Sequence, residues 1–373
     1  VWSFRSEFNP IANPNTRLLT LWCAVVAFAA CQGASNESKP SSDLQWIDRL
    51  VGSEEIGMPF SAAGLPDGRV VVSIFSESRA PGILERDGSI RSLGLLPGPG
   101  PSEIQASGLV RALGQTVFVL DDAAGRLVAV GVDSTEVRGS AWPLPRPRDL
   151  LPLQDGGFVV AGHFRTPELF GYPLHLVNRA GVRVKSFGAA DRSINDPASV
   201  VFDRVLASSR LDGHFWAVRQ DGYAFEEWAT DGTLRRTLHV DRPWFPESSA
   251  PRGLPWSERP RPFVLGINER NDGTILVLIQ RAHRDWKPDA TRADHTAIRS
   301  IAEFIPYFEY VLEVVDGTTG ALRSATVVDG DLLLSVLADG RVFGIREGPD
   351  GTLHPLVLDL PTPATMSLTG ESK

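Results

Sequence analysis

One pattern of apolar and polar positions recurs along the chain from residue 58 onward. A turn is followed by a short run of Val, Ile and Phe. The instances are Asp67-Gly68 before RVVVSIF, Gly114 before QTVFVL, Asp155-Gly156 before GFVVAG, Asp212-Gly213 before HFWAV, Asp272-Gly273 before TILVLI and Asp339-Gly340 before RVFGI. An Asp-Gly pair supplies the positive φ that a tight hairpin turn requires. The runs after it are continuously apolar rather than alternating, which suits strands buried on both faces. A weaker apolar segment precedes each turn, such as PFSAAGL before Asp67 or DLLPL before Asp155. A further strand, a second turn and a last strand follow, as in GILERDGSIRSLG (turn at Asp87-Gly88) and FEEWATDGTLRRTLHV (turn at Asp231-Gly232). In the second unit this later turn is degenerate and reads Asp133-Ser134. The repeat is therefore four antiparallel strands, here called a to d in chain order, joined by hairpins.

First turns are separated by 42 residues (Gly114 to Gly156) up to 67 (Gly273 to Gly340), close to the length of a propeller blade. A four-stranded sheet alone leaves apolar faces in water, and radial stacking buries them. The spacing predicts an all-β, six-bladed β-propeller over residues 44–362. The ends support closure. The last unit has strand a (DLLLSVL, 331–337), strand b (341–345) and strand c (352–360), and then Pro361 and Pro363 stop the pattern. An orphan strand, LQWIDRL at 44–50, precedes the first unit. If it supplies the missing strand d, N- and C-terminal segments share one sheet and two edges are removed. An open pair of sandwiched sheets is the competing architecture.

Between the first and second units lies LLPGPGPSEI, residues 95–104. A phosphate-binding loop needs consecutive backbone N–H groups and a following helix. Pro97, Pro99 and Pro101 carry no N–H, and a strand follows, so the stretch reads as a rigid inter-blade connection. Gly98-Pro-Gly-Pro-Ser-Glu-Ile104 is similar to the Gly-x-Gly-Pro-Gly-Glu-Phe connection of bacterial six-bladed propellers related to NHL-repeat proteins, with Ser102 for Gly and Ile104 for Phe. The turn–strand–turn unit resembles theirs too, as does VLEVVDGTTG at 311–320. The resemblance implies the fold. Activity it leaves open, because this fold hosts binders, sensors and enzymes.

Arg17 precedes an apolar run of thirteen residues, Leu18 to Ala30. As a helix it rises only ~20 Å, too short for a hydrocarbon core, and it ends in small residues as a secretory signal does. Phe28-Ala-Ala-Cys31 resembles a bacterial lipobox, which implies lipidation of Cys31 and attachment to an envelope membrane. The expected organisation is a leader over 1–30, a flexible tether over 31–43, the propeller over 44–362 and a disordered tail over 363–373. Residues 1–16 lack the form of a signal and read as lying upstream of it. Cys23 and Cys31 are the two cysteines, so the propeller holds no disulfide and no cysteine metal site. Net charge is −8 without a basic tract, which argues against nucleic acid as a partner.

In an antiparallel blade the b–c loops and d–a connections emerge on one face of the ring. The long insertions fall there: 241–262, rich in Pro, Trp and Arg, and 281–308. Within the second, Ile298, Ile301, Ala302 and Ile305 have helical spacing and predict a short amphipathic helix. The same loops carry the candidate ligand-binding residues Asp121, Asp122, His163, Arg165, Arg219, Asp221, Arg281 and His283. No Gly-x-Ser-x-Gly elbow or His-Glu-x-x-His motif occurs, and no catalytic residue is assigned. The favoured function is an exported, lipid-anchored module binding a small molecule, glycan or envelope protein through the insertion-bearing face, with no cofactor identified. The alternative is a metal-assisted hydrolase, lactonase or lyase working in the central channel. The resemblance implies Ca²⁺ or Zn²⁺ there, held by carboxylates, Asn or His, with Asn178 and Asn268 as candidates. A purely structural envelope protein is a third class, for which the sequence carries no positive mark.

Overall fold

Every expected unit forms a four-stranded antiparallel sheet, and six of them make a six-bladed β-propeller. The computed structural model describes residues 47–51, 58–75, 80–134, 136–144, 147–162, 164, 166, 168–188, 204–220, 222–245, 257–289, 303 and 305–359. The expected leader, Cys31, the tether and the C-terminal tail lie outside the described residues, as do 44–46 of the orphan strand. All described residues belong to one compact unit, Pro40–Lys373.

The first strand, β1 (Ile47–Val51), belongs to the last blade. Blade one is β2 (Met58–Gly64), β3 (Val70–Phe75), β4 (Gly82–Leu84) and β5 (Ile90–Ser92). The connection after it contains a short parallel pair, β6 (Leu96–Pro97) and β7 (Glu103–Ile104). Blade two is β8 (Ser107–Leu113), β9 (Thr116–Asp121), β10 (Arg126–Gly131) and β11 (Val137–Ala141). Blade three is β12 (Asp149–Pro152), β13 (Phe158–Ala161), β14 (Leu174–Val177) and β15 (Arg183–Phe187). Blade four is β16 (Arg204–Ser208), β17 (His214–Arg219), β18 (Ala224–Ala229) and β19 (Leu234–His239). Blade five is β20 (Phe263–Glu269), β21 (Thr274–Ala282), β22 (Phe308–Asp316) and β23 (Leu322–Val328). Blade six is β24 (Leu332–Val336), β25 (Val342–Glu347) and β26 (Leu353–Asp359), completed by β1.

Closure is antiparallel, with Ile47 opposite Asp359 and Val51 opposite Leu356. The two leftover segments of the sequence therefore pair, and β26 is not left as an open edge.

All six a–b turns hold their glycine at positive φ, from 59° at Gly114 to 91° at Gly68. The aspartate before the glycine accepts the N–H two residues on: Asp67 from Arg69 (3.1 Å), Asp155 from Gly157 (2.8 Å) and Asp272 from Thr274 (3.0 Å). These caps make the Asp-Gly pair a self-contained turn.

Six apolar clusters occupy the six blade boundaries. Strand b supplies both sides, because successive side chains point to opposite faces. In β17, Phe215 and Ala217 pack toward blade three while Trp216 and Val218 pack toward blade five. In β21, Ile275, Val277 and Ile279 face blade four while Leu276 and Leu278 face blade six. This is why strand b reads as an uninterrupted apolar run. Around the axis the innermost strands approach closely: a Cβ on Gly266 of β20 would lie 2.7 Å from the Val336 backbone N of β24.

The connection at 95–104 joins blades one and two, as expected, and is tied by its own hydrogen bonds. Gly100 N–H donates to the Glu103 carboxylate at 2.6 Å, and Gly98 N–H to the Ile104 carbonyl at 3.1 Å. Leu95 and Ile104 are buried in the cluster between blades one and two.

Candidate functional site

The site grows from an irregularity in β22, FEYVLEVVD. Two carboxylates, Glu309 and Glu313, interrupt a nine-residue strand that is otherwise mostly apolar. They share a face with Val311, and Val311 packs toward blade four. Both are buried, with 1% and 2% relative exposure. A carboxylate so placed requires charged or hydrogen-bonded partners.

Glu309 finds its partner on the neighbouring strand of its own blade, and Glu313 finds its partners across the blade boundary. Arg281 of β21 stands directly opposite Glu309, and its Nε donates to Glu309 Oε1 at 2.7 Å. Glu313 accepts Arg242 Nε at 3.2 and 3.1 Å on its two oxygens and also accepts the Tyr223 hydroxyl. Burial, reinforced by the Glu313 charge, holds the Tyr223 phenol well above its ordinary range, so it remains a donor. Phe245 stacks on Tyr223 with ring centroids 5.1 Å apart. The Arg281 guanidinium lies over the Trp244 ring, 4.9 Å from its centroid. Thus the start of the 241–262 insertion is held on blade five by the Arg242–Glu313 ion pair and by the contact of Trp244 with Arg281, with Phe245 stacked on Tyr223 beside them.

The 281–308 insertion is clasped at both ends. His283 N–H donates to the Tyr307 carbonyl at 2.9 Å. The Arg284 N–H donates to Glu309 Oε2 at 3.3 Å, and the Arg284 side chain pairs with Asp329 in the connection to blade six. His283 Nδ1 accepts the Asp285 N–H at 3.1 Å. The described end of the insertion is a 3-10 turn, Ile305–Tyr307. Most of the helix expected around Ile298–Ile305 lies outside the described residues.

Of the candidates read from the sequence, Arg281 and His283 are brought together, at Glu309. Asp121 is fully buried in blade two, where its carboxylate accepts the N–H groups of Gln105, Ala106 and Ala124 and the Arg126 guanidinium. It ties the 95–104 connection down. Asp122 lies against Gly108, and its N–H donates to the Ala106 carbonyl. Arg219 ends β17 half-buried, and its carbonyl accepts Gly222 N–H. His163, Arg165 and Asp221 lie outside the described residues. Tyr223, Arg242, Trp244, Glu309, Glu313 and Asp329 were not read as site residues. The signal for the two glutamates was present, as charges inside a strand that is otherwise buried.

The central channel holds a cavity of about 290 Å³ walled by the innermost strands, with Ala62, Ala112, Leu151, Leu265 and Val336 among its lining residues. Its carboxylates are occupied. Asp149 pairs with Arg111 and accepts the Leu150 and Leu206 N–H groups at 2.8 Å each. Glu269 binds Arg210, the Ser209 hydroxyl and Trp216 Nε1. Asn268 Nδ2 donates to the Ala338 carbonyl, and the Asn178 side chain caps its own turn at Ala180 and Val182.

No family model and no curated relative matches this sequence. Among solved structures, the chain is similar to a member of the DUF4221 family from Bacteroides vulgatus ATCC 8482. The TM-score is 0.60 at 9% identity, over 85% of this chain and 98% of that one. It is also similar to a candidate exported protein from Bacteroides fragilis NCTC 9343, with a TM-score of 0.52 at 9% identity, over 86% of this chain and 94% of that one. At such identities the likeness is one of fold.

Proposed function

We propose that this protein is an exported, lipid-anchored binding module whose working surface is the insertion-bearing face at the boundary of blades four and five. The observation that carries the reading is the contact of Arg281 with Trp244, which fixes the 241–262 insertion on blade five at the strand end from which the second insertion leaves. Elaboration of one face on a closed ring, with its bases rigidly held, is how propellers and other scaffolds present binding loops. Export rests on the apolar run at 18–30 and on the candidate exported protein among the similar structures. Lipidation at Cys31 and the NHL-type relationship rest on the sequence alone. The partner class is a small molecule, glycan or envelope protein.

The channel-enzyme reading has less support. Among the described residues, the carboxylates lining the cavity are already engaged by protein donors, which leaves no ready ligand set for Ca²⁺ or Zn²⁺ there. Capture experiments from an envelope fraction test the binding reading, comparing the native chain with a variant in which residues 285–306 are replaced by a short glycine–serine link. Loss of at least one captured species is expected. Equal recovery of every species by both proteins contradicts it.

A further inference from the structure

We propose that His283, Glu309 and Asp329 form a binding site for a zinc-class divalent cation on the rim of the ring, at the base of the 283–307 insertion. The residues come from three segments: the loop after β21, the start of β22 and the connection from β23 to blade six. One ligand atom from each lies within 4.8 Å of the other two. None of them lines the channel cavity.

The donor set selects the cation. One imidazole nitrogen with two carboxylates suits Zn²⁺ and similar borderline ions, whereas Ca²⁺ takes six to eight oxygens. Zinc bonds of about 2.0–2.2 Å bring tetrahedral ligand atoms to roughly 3.5 Å from one another, so the group contracts by about an ångström on binding. Glu309 is the fixed member, buried on a strand. His283 is half-buried and Asp329 exposed, both in loops that can close on it.

The existing partners leave room. Arg281 holds Glu309 through Oε1, leaving Oε2 to face the site beyond the Arg284 N–H at 3.3 Å. An arginine on the far oxygen of a ligating carboxylate is an outer-shell contact that orients it. His283 gives up its 3.1 Å bond from Asp285 N–H whichever nitrogen coordinates, because ligation at Nε2 puts the proton on Nδ1. The competitor is Arg284, which pairs with Asp329. That pair is solvent-exposed, with side-chain exposures of 62% and 37%, and exposed pairs are weak. Arginine and cation are thus alternatives at Asp329. With three protein ligands, a tetrahedral ion would take its fourth ligand from outside this set, such as water.

The test is calorimetric titration of the chelator-treated full chain with Zn²⁺ and, separately, Ca²⁺. One Zn²⁺ per chain is expected, with no Ca²⁺ binding at the same concentrations. His283→Gln and Asp329→Asn each weaken zinc at least tenfold. Arg284→Ala tightens it at least threefold by removing the competitor, a gain that misfolding does not produce. Absence of stoichiometric zinc, unchanged affinity in His283→Gln and Asp329→Asn, or weaker binding in Arg284→Ala overturns the proposal. None of these outcomes bears on which partner the face binds, so the binding reading stands or falls separately.

Discussion

Arg281 bridges Glu309 and Trp244: its Nε lies 2.7 Å from the carboxylate and its guanidinium 4.9 Å from the indole centroid. The glutamate is part of blade five, while the tryptophan is carried by the connection from blade four. Arg281→Ala leaves a buried carboxylate unpaired and is expected to cost about 3 kcal/mol. Trp244→Ala loses the cation–π contact, about 1 kcal/mol, plus some packing. Replacing both members of the ion pair, Arg281→Met with Glu309→Leu, is expected to cost less than Arg281→Ala alone. Urea unfolding of the variants checks the order.

Ring closure carries its own expectation. Removing residues 1–51 strips β1 from β26 and exposes an unpaired strand edge. The thermal midpoint is expected to fall by about 5 °C or more, with self-association visible by light scattering. An unchanged midpoint and a monomeric truncated chain contradict the closure as a stabilising element.

The inner strands leave no room at Gly266, where a Cβ would approach Val336 N to 2.7 Å. Gly266→Val is expected to destabilise by about 2 kcal/mol or more through overpacking. Gly330, where a Cβ meets nothing within 4 Å, carries positive φ, so Gly330→Asn serves as a mild control. Chemical denaturation distinguishes the two.

Acid sensitivity is expected in two steps. His175 is buried, with its ring bonded to Ser186 Oγ at 2.8 Å and to the Gly162 carbonyl at 3.1 Å. Burial pushes its imidazole down to about 4. The unfolded chain therefore binds a proton that the folded chain does not between pH ~6.5 and ~4. Stability from this group is complete above that window and falls through it by about 3 kcal/mol. Below it the turn aspartates take over. Asp67, held down to about 2 by Arg69, and Asp316, lowered by Arg323, favour the folded state until they protonate, so stability drops again from about pH 4 toward 2. Urea midpoints at pH 7, 5.5 and 4 for the native chain and His175→Gln check the first step, which the variant is expected to lose.

How much of this was legible depends on the kind of signal. Strand b and its Asp-Gly turn were readable because period-two burial on both faces and positive φ leave local marks, as Phe215–Val218 and Gly213 show. Closure was readable because two incomplete units, 44–50 and 331–360, complemented each other. The site was only half readable. Arg281 and Asp121 look alike in sequence, as polar residues near the end of strand b. Yet Asp121 turns inward to satisfy three backbone N–H groups, while Arg281 reaches Glu309 and Trp244. Partner choice depends on which segment the neighbouring blade places opposite, and local sequence does not encode it. Arg242 and Glu313, 71 positions apart, meet only because blade four stacks on blade five.

The most direct test of the working face is site-specific photo-crosslinking in envelope preparations. A photoreactive residue replaces Arg259, exposed in the 241–262 insertion, or Leu211, exposed in an a–b turn on the opposite face. Defined adducts from position 259, with none above background from position 211, are predicted. Adducts from position 211 alone would contradict the account.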